Sequence, residues 1–178
     1  MREGTIARNY AGALYELGER DGGTEAYANV LEALAGVIAV DPTVRLMLES
    51  PRVPKETKAD LLARALTGRT SEVLIKFLRA VVKRGRQNLL GVISREYSAL
   101  VDIKFNRVHA GVTLARMPDA ALQNAVREAL TKAIGKEVIP HFREDSTILG
   151  GVLVRVDDRI MDGSVRRRLA RLRRQMLS

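Results

Sequence analysis

Residues 107–115 read "RVHAGVTLA". Val108, Ala110, Val112 and Leu114 alternate with His109, Gly111 and Thr113, a period of two that gives an extended strand one apolar and one polar face. Everything before this stretch repeats at a helical period instead. The switch makes the fold α+β rather than all-helical, and it sets a boundary near Phe105 to Arg107. The expected division is an N-terminal six-helix bundle over residues 1–105 and a small α/β-type domain over residues 106–178.

Upstream, each helix carries its own punctuation. "TIARNYAGALYELGER" (5–20) places Ile6, Tyr10, Leu14 and Leu17 at helical spacing, with Thr5 as the expected N-cap. Gly22-Gly23 separates it from a second helix carrying Tyr27, Val30, Leu31, Leu34 and Ile38. Asp41 followed by Pro42 is a start signal for a short third helix, since proline fits the first helical position. A fourth helix runs from Pro54 to a stop at Gly68. "TSEVLIKFLRAVVKRG" (70–85) is the fifth, with Val73, Leu74, Phe77, Leu78, Val81 and Val82, ending in basic residues that suit a helix C-terminus. The sixth is expected from about Asn88 to Phe105, around Leu89, Leu90, Ile93, Tyr97, Leu100 and Val101.

Downstream, Pro118 and Asp119 open an amphipathic helix through Leu122, Val126 and Leu130 that ends near Gly135. "EVIPHFRED" (137–145) reads as a strand, and Pro140 confines it to a sheet edge or a bulge. "GGVLVRVDDRIM" (150–161) reads as a hairpin turning at Asp157-Asp158. In "RIMDGSVRRRLARLRRQM" (159–176), Ser164 or Asp162 is expected to cap a last helix. Its apolar stripe, Val165, Leu169, Leu172 and Met176, should face a core and leave the arginines outside.

The residue inventory argues against chemistry. There is no cysteine, which excludes disulfides, thiolate catalysis and cysteine zinc sites. The two histidines, His109 and His141, fall on separate strands without a carboxylate or ligand partner at local spacing, so each is expected to be an ordinary surface residue. Gly135-Lys136 is followed by Glu137 where a phosphate loop needs Ser or Thr. A calcium loop starting at Asp158 fails at Ile160 and Leu169. No catalytic, cofactor-binding or metal-binding residue is expected. The longest apolar run, Ala33 to Val40, is far too short to cross a bilayer. With no apolar leader at the N-terminus, the chain reads as soluble and cytoplasmic-side.

The charge is +9, from 30 basic and 21 acidic residues, which points to acidic partners. Residues 1–105 carry 16 basic and 13 acidic groups, and residues 106–178 carry 14 and 8. A basic RNA- or ribosome-binding protein is the competing reading. Against it, nucleic-acid readers add stacking aromatics, and no aromatic lies beyond Phe142.

Three motifs, in order, resemble one family. "ARNYAGALYELG" (7–18), "LIKFLRAVVKRGR" (74–86) and "ILGGVLVRVDDRIMDGSVRRRLARL" (148–172) are similar to the first helix, fifth helix and C-terminal signature of the ATP synthase delta subunit, known in mitochondria as the oligomycin sensitivity conferral protein. The last motif is the most specific. The resemblance implies a non-catalytic stator subunit that ties the catalytic head to the peripheral stalk and stops the head from turning with the rotor. It implies a groove between the first and fifth helices for the N-terminal helix of an alpha subunit, here Tyr10, Ala11 and Leu14 with Leu74, Phe77, Leu78 and Val81. It implies contact between the C-terminal domain and b-type stalk subunits, with Arg166, Arg167, Arg171 and Arg174 as candidates. No nucleic-acid partner and no cofactor follow from it, and membrane association comes only through the complex, at the cytoplasmic face of a bacterial membrane.

Overall fold

The computed structural model describes residues 2–156, 158–167, 169 and 175. Its contacts divide the chain into two compact units, Met1–Ile103 and Lys104–Ser178. The first unit contains α1 (Arg2–Asp21), α2 (Thr24–Val40), α3 (Pro42–Glu49), α4 (Lys55–Leu66), α5 (Glu72–Lys83) and α6 (Leu90–Lys104), which a 3-10 turn at Gln87–Leu89 precedes.

The helix starts obey local chemistry. The Asp41 side chain accepts from the amides of Thr43 and Val44, with Pro42 at the first position of α3. Ser71 caps α5 by accepting from the Val73 amide. Thr5 is not a cap, because α1 already begins at Arg2.

Two clusters hold the unit together. The larger joins Ala7, Ala11 and Leu14 of α1 to Tyr27 and Leu31 of α2, Leu74, Leu78 and Val81 of α5, and Ile93, Tyr97 and Val101 of α6. The smaller packs Leu48, Ala59, Leu62 and Val82 together, so α5 serves both. On α1 the buried stripe lies one position away from the expected one. It runs Ala7, Ala11, Leu14 and Gly18, while Ile6 and Tyr10 sit on its flank and Leu17 is exposed. Small side chains win here because other elements approach closely. A Cβ at Gly18 would stand 2.8 Å from the Tyr97 hydroxyl. That hydroxyl donates to the Thr24 carbonyl at 3.1 Å, and burial pushes its ionisation upward. Lys58, 97% buried by area, extends its ammonium to the carbonyl of Ser50 at 2.7 Å, satisfying the end of α3. Its position in the sequence gives no sign of this.

The second unit is a four-stranded mixed sheet: β1 (Arg107–Leu114), β2 (Glu137–Glu144), β3 (Val152–Val156) and β4 (Arg159–Asp162), in the order β2-β1-β3-β4. β1 runs parallel to β2 and antiparallel to β3, and β3 and β4 pair antiparallel. The connection from β1 to β2 is α7 (Ala120–Ile134), capped by Asp119 and closed by Gly135 in the left-handed conformation. Val126, Leu130 and Ile134 of α7 cover Val108, Ala110, Val112, Val138, Val154 and Val156. Leu122, expected on that face, is 47% exposed. Pro140 stands on edge strand β2, where its missing N–H costs no ladder bond to a further strand.

Candidate partner-binding site

Of the seven groove candidates, five belong to the core. Ala11, Leu14, Leu74, Leu78 and Val81 are each no more than 1% exposed. Their stripes meet each other and α6 in the larger core cluster. Tyr10 and Phe77 differ. Both are half-buried, and their rings meet edge to face with centroids 6.0 Å apart and planes at 74°.

Beside this pair lies a cleft of about 250 Å³ lined by Ile6, Asn9, Tyr10, Ala13, Arg84 and Arg86. Tyr10 forms its hinge. Its hydroxyl oxygen accepts from Arg86 at 3.1 Å and from Arg84 at 3.4 Å, and the Arg86 guanidinium also lies over the ring, 5.4 Å from its centroid. Partial burial works to raise the Tyr10 phenol, but the two guanidiniums outweigh it and hold the group below its ordinary range. The cleft therefore offers apolar contact from Ile6 and Ala13 beside two arginine forks that suit carboxylates. Sequence reasoning missed Ile6, Asn9, Ala13 and the two arginines as wall residues. The available signal was the flank of α1 at Ile6, Tyr10 and Ala13, spaced four and three, pointing at the "RGR" end of the fifth helix.

Larger clefts exist, and one of them, about 520 Å³ on the sheet of the second unit, is lined by His141, Arg143 and Arg155 without a carboxylate among the described residues. The one between α4 and α5, about 570 Å³, is lined by Asp60, Arg64, Thr70, Glu72, Lys76 and Arg79 among others, and Arg79 is already paired with Asp60.

In the second unit, Ser164 accepts from the Arg167 amide at 3.2 Å, and Asp162 accepts from the Ser164 amide at 2.9 Å. Ser164 is thus the cap and Asp162 its brace; hydrogen bonds from Ser164 hold the Asp162 carboxyl below its usual range. Residues 165–167, 169 and 175 are helical. The expected anchoring stripe does not hold among them: Val165 is 40% and Leu169 56% exposed. Val165 instead rests on the Gly150–Gly151 turn, its amide donating to the Gly150 carbonyl at 3.0 Å. Arg166 and Arg167 are exposed. Arg171, Arg174, Leu172, Met176 and the hairpin residue Asp157 lie outside the described residues.

Among the described residues no group of three His, Cys, Asp or Glu side chains could hold a metal, and no helix is long and apolar enough to cross a membrane. A half-open apolar seam with basic corners, on a helical unit joined to a small mixed-sheet unit, is the equipment of a structural protein that binds other chains. The comparisons specify which. The family model for the ATP synthase delta (OSCP) subunit matches residues 6–176. ATP synthase subunit delta of Gemmatimonas aurantiaca is 42% identical over 97% of this chain and 93% of that relative. The same subunit of Desulforamulus reducens is 33% identical over 100% of this chain and 98% of the relative. A chain in the cryo-EM structure of the Toxoplasma gondii mitochondrial ATP synthase hexamer shares the fold, with a TM-score of 0.69 over 97% of this chain and 98% of that one, at 21% identity. This chain belongs to the ATP synthase delta (OSCP) subunit family. It is a non-catalytic stator subunit, and nothing in the comparisons favours the RNA-binding reading.

Proposed function

We propose that the first unit receives the N-terminal helix of an alpha subunit along the α1–α5 seam, and that the second meets the b-type stalk through its terminal arginines. The observation that carries the first half is the Tyr10–Phe77 pair. These are the two groove candidates left half-buried, and Tyr10 lines a cleft whose chemistry suits an amphipathic, partly acidic helix. The charge balance supports the second half. Residues 106–178 carry 14 basic against 8 acidic groups, and Arg166 and Arg167 are exposed, as a contact to acidic helices requires. Domains of 1–105 and 106–178 would then divide the work between head and stalk. Acting so, the chain sits peripherally at the cytoplasmic face of a bacterial membrane, held there by its partners.

The test is a calorimetric titration of the full chain with a peptide of the alpha-subunit N-terminal helix. A buried apolar anchor contributes roughly 1.5–3 kcal/mol, and a few such anchors dominate an interface. Phe77→Glu therefore weakens binding by at least about a hundredfold, since it places a carboxylate where the guest packs. A folded Phe77→Glu chain that binds like the parent rules this seam out.

A further inference from the structure

The chain's two histidines lie 32 residues apart in sequence and side by side in the fold. The parallel register of β1 and β2 sets Gly111 opposite His141, so His109 and His141 occupy one face of the sheet, on diagonally adjacent positions, both exposed. His109 Nδ1 and His141 Nε2 are 2.8 Å apart, the ring centroids 5.0 Å apart and the planes within 23° of each other. The rings thus lie nearly in one plane and aim a nitrogen at each other.

We propose that His109 and His141 form a two-imidazole site for a divalent transition-metal ion, Cu(II) or Ni(II) in preference to Zn(II), with water filling the other positions. Imidazole suits these ions, and with cysteine absent the pair is the chain's whole supply of imidazole and thiolate ligands. Coordination chemistry sets the preference: tetragonal nitrogen sites suit Cu(II) and Ni(II), and Cu(II) stands above Zn(II) in the general affinity order. The observed 2.8 Å is that of an ordinary N–H···N hydrogen bond, and it puts both nitrogens within reach of one ion once the rings turn. One ring now donates to the other. On binding, the donor's proton moves through solvent to that ring's other nitrogen, so both facing nitrogens present lone pairs to the ion. Each ring then turns about its Cβ–Cγ bond to aim at the ion, a soft torsion for an exposed imidazole. The strands need not move: eight register pairs between β1 and β2 fix the two backbones. Arg155 of β3, paired with Gly111, opposes a cation and limits the affinity.

The full chain, free of any histidine tag, is titrated with Ni²⁺, Cu²⁺ and Zn²⁺ by calorimetry. One ion binds per chain, more tightly for Cu²⁺ and Ni²⁺ than for Zn²⁺, and His109→Ala or His141→Ala weakens Ni²⁺ binding by at least about tenfold. Both positions are exposed, so circular dichroism of the variants should match the parent. Independently of any variant, paramagnetic Ni²⁺ broadens both histidine C2–H resonances of the parent chain together. Single-histidine variants that hold Ni²⁺ as the parent does overturn the proposal, as does broadening of one resonance or neither.

Discussion

Tyr10 on α1 meets Phe77 on α5 edge to face at 6.0 Å, while Leu14, one turn further along α1, is sealed from water. One pair of helices therefore presents a half-open flank and a closed core within a single turn of each other. Substitutions should separate the two. Leu14→Glu buries a carboxylate with no partner, a cost that takes most of a small domain's stability. It should abolish the cooperative melting of the first unit, whereas Phe77→Glu should lower the melting temperature only modestly. A Leu14→Glu chain that melts like the parent would place Leu14 on a wet wall.

Tyr97 links α6 to the start of α2 and makes stability sensitive to alkali. Burial first, then the neighbouring Tyr27, Tyr15 and Glu19, raise its phenol above the ordinary value of 10.0. A group raised on folding contributes stability that is complete below its unfolded value and is lost as pH climbs past it toward the folded one. Melting temperatures of the parent should fall above about pH 10. Tyr97→Phe removes the bond to the Thr24 carbonyl, costs about 1–3 kcal/mol at neutral pH, and should flatten that alkaline decline. An equally steep decline in the variant would assign it to other groups.

Gly36 and Gly151 should respond in opposite directions to alanine. Gly36 is exposed within α2 with open space around a future Cβ, so Gly36→Ala should stabilise by about 0.5–1 kcal/mol, a rise of a few degrees in melting temperature. Gly151 has φ +87°, and a Cβ there would stand 2.5 Å from the Gly163 carbonyl oxygen. Gly151→Ala should lower the stability of the second unit by more than Gly36→Ala raises that of the first. Thermal scans of both variants compare them directly.

Residues 1–105 should fold alone. The two core clusters of the first unit draw every buried side chain from within it. The fragment is expected to give helical circular dichroism and one cooperative transition. A coil-like spectrum would show that the second unit supplies part of that stability.

Much of the fold is legible one segment at a time. Asp41-Pro42, Asp119 and Gly135 mark helix ends because the chemistry of a helix terminus is satisfied within three or four residues. The alternation from Val108 to Leu114 and the edge placement of Pro140 follow for the same reason. The three family motifs were equally readable, and through them the protein's class.

The amino-acid sequence by itself determined the elements, their order and the absence of thiol chemistry. Tertiary structure alone decided which flank of each element is covered. Nothing local could show that α1 would bury Ala7, Ala11 and Gly18 in place of Ile6 and Leu17, since that choice depends on how closely Tyr97 approaches from α6. The same holds for Lys58, whose burial depends on the Ser50 carbonyl eight residues earlier, and for Val165 and Leu169, a helical stripe left open. The histidine pair is the clearest case. Each ring looks isolated along the chain, and only the parallel register of β1 and β2 brings the two within 2.8 Å. Hydrophobic period reports that a face exists; the partner that covers it is set by packing between segments far apart in sequence.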